Sequence, residues 1–469
     1  MLLSSIVVYL VLTILVGFWA SRRVRTSNDF MLAGQSLPLV LGSSALFATW
    51  FGSETVFGAS SEFLEGGLYA VIEDPFGACL CLLIFGFFFA RRLYRLNLLT
   101  LGDFFKVKYG RSTELVASVF LAPPYVGYIA AQLVAMGLIM NVVADVTLAQ
   151  GILISASIVT LYTIVGGMWA ITITDFIQTI IIISGLFVLA VTLASQAGGV
   201  THVLSEVHES NFKFLPDADF REIVTYVAAW SVLGLGSIPS QDVFQRAMSS
   251  RSASVAARSC YIAAGLYLSI AMLPLFISLC IKHLYPEQLD GDTQLALPSM
   301  VLQHMSMPIQ ILFFGSLLSA IMSTTSAAIL APAAIVSENL IKPMMKTRLT
   351  DKTFLLVTRI SILVFSAAAT VMATMRSNIY ELVAESSVLS LVSLFAPLTL
   401  GLYWKRSSST GALLSMVLGI ITWIIFESLE TQWPSLVPAT LVSMAAMVAG
   451  SLLWPNKEEY DHNRTQSIE

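Results

Sequence analysis

Six carboxylates stand in or beside apolar stretches of this chain: Glu54, Glu73, Asp74, Asp242, Glu381 and Glu385. Taking such a group out of water is costly unless it pairs or binds something, so each needs a reason. Asp242 has Arg246 one helical turn on, and Glu381 has Arg376 nearby, so ion pairing accounts for both. Glu54 lies one turn from Trp50 on the same helix face. Together the acids make this region suited to an amine. Other chemistry is poorly provided for. The five histidines (His202, His208, His283, His304 and His462) fall in loops, span ends or the tail, which leaves an intramembrane zinc site without ligands. A nucleophile–base pair at membrane depth is missing, which speaks against a membrane enzyme. Cys79, Cys81, Cys260 and Cys280 sit inside apolar stretches and read as packing thiols.

The elements that must position these residues are membrane helices. Of 469 residues, 56% are hydrophobic and 12% charged, and the mean hydropathy of +0.80 requires lipid as the main solvent. Net charge is −4, which says little about partners in such a chain and gives no sign of nucleic acid. Apolar stretches predict about thirteen transmembrane helices, near 2–20, 38–64, 67–90, 113–141, 148–168, 172–195, 222–247, 257–281, 308–338, 353–374, 378–403, 409–428 and 434–454. The first is followed by Arg22, Arg23 and Arg25 and preceded by no basic residue, so it reads as a retained span rather than a signal peptide. With the N-terminus outside, all of the 25 Lys and Arg residues reach the cytoplasmic side except Lys213, Arg221, Lys282 and Arg376, which lie outside, and Arg359, within a span. The positive-inside rule selects that orientation, with a cytoplasmic C-terminus. The one N-glycosylation sequon, Asn463-Arg-Thr465, then falls in the cytoplasmic tail, and a bacterial inner membrane fits.

Two of these spans are interrupted. The second contains Ala48-Thr-Trp-Phe-Gly-Ser-Glu-Thr-Val-Phe-Gly58 and the seventh Gly234-Leu-Gly-Ser-Ile-Pro-Ser-Gln241. Glycine tolerates unwinding and Pro239 removes a donor, so both expose backbone groups at mid-membrane. Broken helices at corresponding places in two halves point to an inverted-repeat transporter. The organisation is then residues 1–37, a first flanking helix and cytoplasmic loop; 38–195, core repeat one; 196–221, an external loop; 222–403, core repeat two; 404–454, two flanking helices; and 455–469, a cytoplasmic tail.

From about Asp29 to Trp404 the chain resembles the sodium:solute symporter family, on Ala33-Gly-Gln-Ser-Leu37, Ala48-Thr-Trp50, Leu161-Tyr-Thr-Ile-Val-Gly-Gly-Met-Trp169, Thr174-Asp-Phe-Ile-Gln178, Ile238-Pro-Ser-Gln241, Phe244-Gln-Arg246 and Ala320-Ile-Met-Ser-Thr324. The resemblance implies an all-α polytopic protein with a ten-helix, leucine-transporter-like inverted-repeat core and Na+ as coupling ion. It also implies sodium ligands at Ala320, Ser323 and Thr324, joined by the freed carbonyls of Ala48 and Phe51. Residues at i, i+3 and i+4 share a helix face, and a hard cation takes oxygen ligands, so the spacing suits the role. Hydrogen bonding of the two hydroxyls back to the preceding turn is the plainer alternative. Asp175 corresponds to an acidic residue along the sodium exit route, or else caps the sixth span.

Within the family the nearest pattern is that of the high-affinity choline transporters, around Trp50, Leu161 to Gly167 and Phe244 to Arg246. Trp50 and Tyr128 match positions of an aromatic cage for a quaternary ammonium group, whereas Ala78, Ser240 and Val383 stand where further aromatics are expected. The cage is incomplete, with Glu54 the candidate charge to compensate. Ser240 and Gln241 make a smaller polar pocket equally open to an amino acid or other zwitterion. The expected function is sodium-coupled import of a small organic solute by alternating access across the bilayer. Proton coupling through Glu54 or Asp175 is the close alternative, and a transporter-like sensory module the distant one, since the chain carries no output domain after its last span. The sequence leaves the oligomeric state open.

Overall fold

A computed structural model describes residues 1–24, 26–345, 350–429 and 431–456. Arg25, Lys346, Arg348 and everything from Lys457 onward, including His462 and the sequon, lie outside the described residues. The described residues are helical throughout, with a lone bridge between Leu37 and Ser250 and no strand. Ten helices are long and apolar enough to cross a membrane, or eleven if the pair Phe220–Gly236 and Gln241–Met248, bent by 46°, counts as one span. The difference between eleven and thirteen arises in two places. The expected span 38–64 is divided into Leu39–Trp50 and a helical continuation from Glu54 to Ala70. The expected spans 148–168 and 172–195 share one run, Leu148–Gln196.

That run turns at Gly167, whose backbone (φ 56°, ψ −166°) is closed to residues with a Cβ. A Cβ there would also meet the Phe30 ring at 2.5 Å. Both facts account for the glycine in the 161–169 motif. Helix starts follow local chemistry: Thr26 with Asp29, Thr100 with Asp103 and Thr147 with Gln150 form capping boxes, each satisfying backbone amides at a helix N-terminus.

Burial separates centre from periphery. In Met307–Met344, 94% of the most apolar stretch is inside the protein, against 28% in both Leu2–Ser21 and Ser409–Ser428. The latter two leave most of their apolar surface on the outside of the protein, where it is open to lipid. The central helix also carries a run of buried hydroxyls. Ser316, Ser319, Thr325 and Ser326 donate to carbonyls of their own preceding turns, which is how a polar side chain is accommodated at this depth.

The entrance to the first broken helix and the exit from the second are tied together. Leu37 N donates to Ser249 O and Arg251 N to Leu37 O, each at 3.0 Å. Gln245 Nε2 donates to Met31 O at 2.6 Å.

Candidate functional site

The first break begins at Phe51, where ψ turns to 80° and the helix stops. The groups it frees are taken up by side chains of three other helices. Ser53 N donates to Gln132 Oε1 (3.0 Å), and Gln132 Nε2 donates to Glu54 Oε2 (2.7 Å). The Tyr128 hydroxyl lies 3.2 Å from Thr49 O and 3.1 Å from Glu54 Oε1. The Tyr267 hydroxyl lies 3.1 Å from Trp50 O, 2.7 Å from Asp74 Oδ1 and 2.6 Å from Thr55 Oγ1. Gly52 sits at the hub: a Cβ on it would come within 2.7 Å of Glu54 Oε2, 2.8 Å of Gln132 Oε1 and 2.9 Å of Thr324 Oγ1.

On one side of the break is a cluster of oxygens. Ser323 Oγ donates to Ala48 O at 2.9 Å, and Thr324 Oγ1 lies 3.2 Å from Ala48 O and 3.1 Å from Ala320 O. Oxygen atoms about 3 Å apart have the separation expected of neighbours around one hard cation with metal–oxygen distances near 2.4 Å. Back-bonding describes Thr324 in part. It does not describe Ser323, whose hydroxyl reaches across to Ala48 and to Asp175 Oδ1 at 2.5 Å. Phe51 follows at the break, with its ring stacked on Phe47.

Asp175 is fully buried inside the long helix, and its carboxylate faces Ser323 rather than a helix N-terminus, which removes the capping alternative. Its Oδ2 has no hydrogen-bond partner. Arg246 is fully buried as well, with all three guanidinium nitrogens unbonded and the charges of Asp175 and Asp242 nearby. The expected Asp242–Arg246 pair is therefore not made.

Asp242 instead belongs to a cavity on the other side of the break. Its Oδ1 accepts from the Tyr125 hydroxyl (2.6 Å) and its Oδ2 from Trp50 Nε1 (3.2 Å). Trp50, Glu54, Tyr128 and Ser240 line the same cavity, with Tyr125, Tyr267 and the serines 237, 386, 387 and 390. Ala78 and Val383, where the family pattern led us to expect aromatics, also face it. Gln241 does not: its Oε1 accepts from Leu101 N at 2.7 Å, in the packing behind the second break. Glu381 and Glu385 are engaged at the surface by Arg376, the latter by two hydrogen bonds of 2.6 and 2.8 Å.

Sequence reasoning missed Tyr125, Gln132, Tyr267 and the cavity role of Asp242. Tyr125 is three residues before Tyr128, so helical spacing was a usable signal. Tyr267 carries no local signal, since its partners lie on other helices.

The arrangement resembles known proteins across nearly its whole length. The human high affinity choline transporter 1 is 30% identical over 442 residues, covering 89% of this chain and 75% of that protein. The osmoregulated proline transporter of Bacillus subtilis is 25% identical over 489 residues, covering 98% and 96%. Among solved structures, the substrate-bound outward-open state of a Na+-coupled sialic acid symporter superposes with a TM-score of 0.85 at 17% identity, covering 97% of this chain and 99% of that one, which establishes a shared leucine-transporter-like fold. The family profile matches residues 30–419, and this chain, a transporter and not an enzyme, belongs to the sodium:solute symporter family.

Proposed function

We propose that this protein imports a small organic cation, a choline-like quaternary ammonium or an amine, together with sodium. The observation that carries the reading is the cavity lining: four aromatic side chains (Trp50, Tyr125, Tyr128 and Tyr267) and two carboxylates (Glu54 and Asp242), with no Lys, Arg or His among the lining residues. Aromatic faces and carboxylates both favour a cation. The carboxylates offset the non-aromatic Ala78, Ser240 and Val383. A zwitterion would need a counter-charge for its own carboxylate, and the lining offers none. The choline transporters among the relatives are in keeping with this.

Sodium binds between Ala48, Phe51, Ala320, Ser323 and Thr324, with Asp175 next along the inward route. The unpaired Asp175 Oδ2, one contact from Ser323, supports that order. Counting residues 39–70 as one crossing, the bent pair Phe220–Gly236 and Gln241–Met248 as another, and the two arms of Leu148–Gln196 as separate ones gives thirteen spans, with the N-terminus outside a cell membrane. A tenfold sodium gradient supplies about 1.4 kcal/mol, and a potential of roughly 100 mV about 2.3 kcal/mol for each of two inward-moving charges. The sum of about 6 kcal/mol supports roughly ten-thousand-fold accumulation of a monovalent cation with one sodium ion.

The test is uptake into proteoliposomes of labelled choline, betaine, proline, other amino acids, a sugar and a carboxylate, with and without an inward sodium gradient. Accumulation of choline or an amine only with sodium is the expected result. Accumulation of a zwitterion alone overturns the cation assignment, and uptake driven by a proton gradient without sodium overturns the ion site.

A further inference from the structure

Far from the cavity, three side chains from two elements converge on one point of the surface. His202 and Glu206 are one turn apart on the short helix Val200–Glu206, and His283 comes from the last turn of Ala253–Leu284. His202 Nδ1 lies 3.6 Å from Glu206 Oε1, and His283 Nδ1 lies 2.7 Å from Glu206 Oε2. One potential ligand atom from each residue lies within 4.8 Å of the other two. The imidazoles are tilted by 56° with centroids 5.5 Å apart, so they are not stacked and their nitrogens are free to turn toward a common centre.

We propose that His202, Glu206 and His283 form a binding site for a zinc-like transition-metal dication on the outer surface of the protein. Two imidazoles and a carboxylate are a zinc-competent donor set, and three protein ligands leave the fourth tetrahedral position to water. Ligand atoms about 2.0–2.2 Å from zinc are roughly 3.3 Å from one another. The pair at 3.6 Å is already near that spacing, and the pair at 2.7 Å opens by a small rotation of side chains that are 29–49% exposed. His283 stands in the terminal turn of its helix, where unsatisfied carbonyls give a partial negative charge that favours a cation. The neighbouring buried Val203 anchors the short helix, so the metal would join two ordered elements.

The site would pin residues 196–221 to the end of the helix that carries Tyr267. The same segment packs its Asn211 backbone against Gly67, where a Cβ would sit 2.7 Å from it. A bound metal would therefore tie together pieces that contact both the first broken span and the Tyr267 helix.

The test uses the full-length purified protein in detergent, titrated with Zn2+ by calorimetry at pH 7.5 and again with Mg2+. The expected result is one equivalent of Zn2+ with micromolar affinity, no Mg2+ binding, and at least tenfold weaker Zn2+ binding in H202A and in H283A. Because these side chains are exposed, the variants should keep the melting temperature of the metal-free wild type. Zn2+ should raise that temperature in the wild type and not in H202A/H283A. Absence of stoichiometric Zn2+ binding to the wild type, or binding unchanged in the double variant, overturns the site. Sodium-driven uptake plays no part in this readout, so the proposal stands or falls apart from the transported solute.

Discussion

The two broken helices look alike in sequence but satisfy their loosened backbones in different proportions of distant and local bonds. In the break after Trp50, the groups Ala48 O, Trp50 O and Ser53 N bond to side chains from three distant helices: Ser323 and Thr324, Tyr267, and Gln132. In the break after Gly236, satisfaction is mostly local, with one distant backbone partner, the Tyr125 hydroxyl that accepts from Asp242 N at 3.0 Å. Ser237 N donates to Leu233 O, Ile238 N to Leu235 O, and both the amide and hydroxyl of Ser240 to Ser237 O. Pro239 has no amide to place. The first break thus depends more heavily on the tertiary fold and joins the oxygen cluster to the cavity, whereas the second is largely a local turn that gives the cavity part of its wall.

The strongest way to break this contrast is to remove the distant partners. Ser323→Ala with Thr324→Ala deletes two hydroxyl oxygens from the cluster. At roughly 1.5–3 kcal/mol for each bond to a charged group, sodium affinity should fall by on the order of 100-fold or more. Uptake against sodium concentration measures it, and an unchanged sodium dependence would remove the site.

Gly52→Ala attacks the hub, because its Cβ would crowd Glu54, Gln132 and Thr324 together. Overpacking of this kind costs about 1–3 kcal/mol. Both sodium and solute dependence should weaken by roughly tenfold or more, whereas an effect on only one of them would show that the break does not couple the two sides.

Glu54→Gln keeps the shape and removes the charge. The Michaelis constant for a cationic solute should rise roughly tenfold, the effect of about 1.4 kcal/mol, with little change in sodium dependence. An equal loss for a neutral analogue would assign Glu54 to holding Gln132 and Tyr128 instead.

The smallest effect belongs to the second break. Ser240→Ala removes a hydroxyl bond inside its own turn, worth about 1 kcal/mol of stability. The melting temperature should drop by about one degree with less than a threefold change in uptake. A large loss of sodium dependence here would end the asymmetry between the breaks.

Much of this was legible beforehand. The position of both breaks could be read from Gly52, Gly234, Gly236 and Pro239 because helix interruption is a local property of the backbone. Ala320, Ser323 and Thr324 came from the family resemblance, and helical periodicity accounts only for their sharing one face. Asp242 was misread, because a partner four residues away is visible in sequence while Trp50 and Tyr125 are not. Gln241 was placed in the cavity by its neighbourhood to Ser240, but adjacent helical residues point in different directions, and it faces Leu101.

The sequence by itself determined the apolar helices, their breaks and which side chains share a helix face, since lipid and the 3.6-residue turn act on consecutive residues. Tertiary structure decided which oxygens meet. Ser323 finds Ala48 across 275 residues of chain, Trp50 finds Asp242 across 192, and Asp175 finds Ser323 across 148. Contacts at such separations depend on how whole helices pack, and no spacing along the chain encodes them singly.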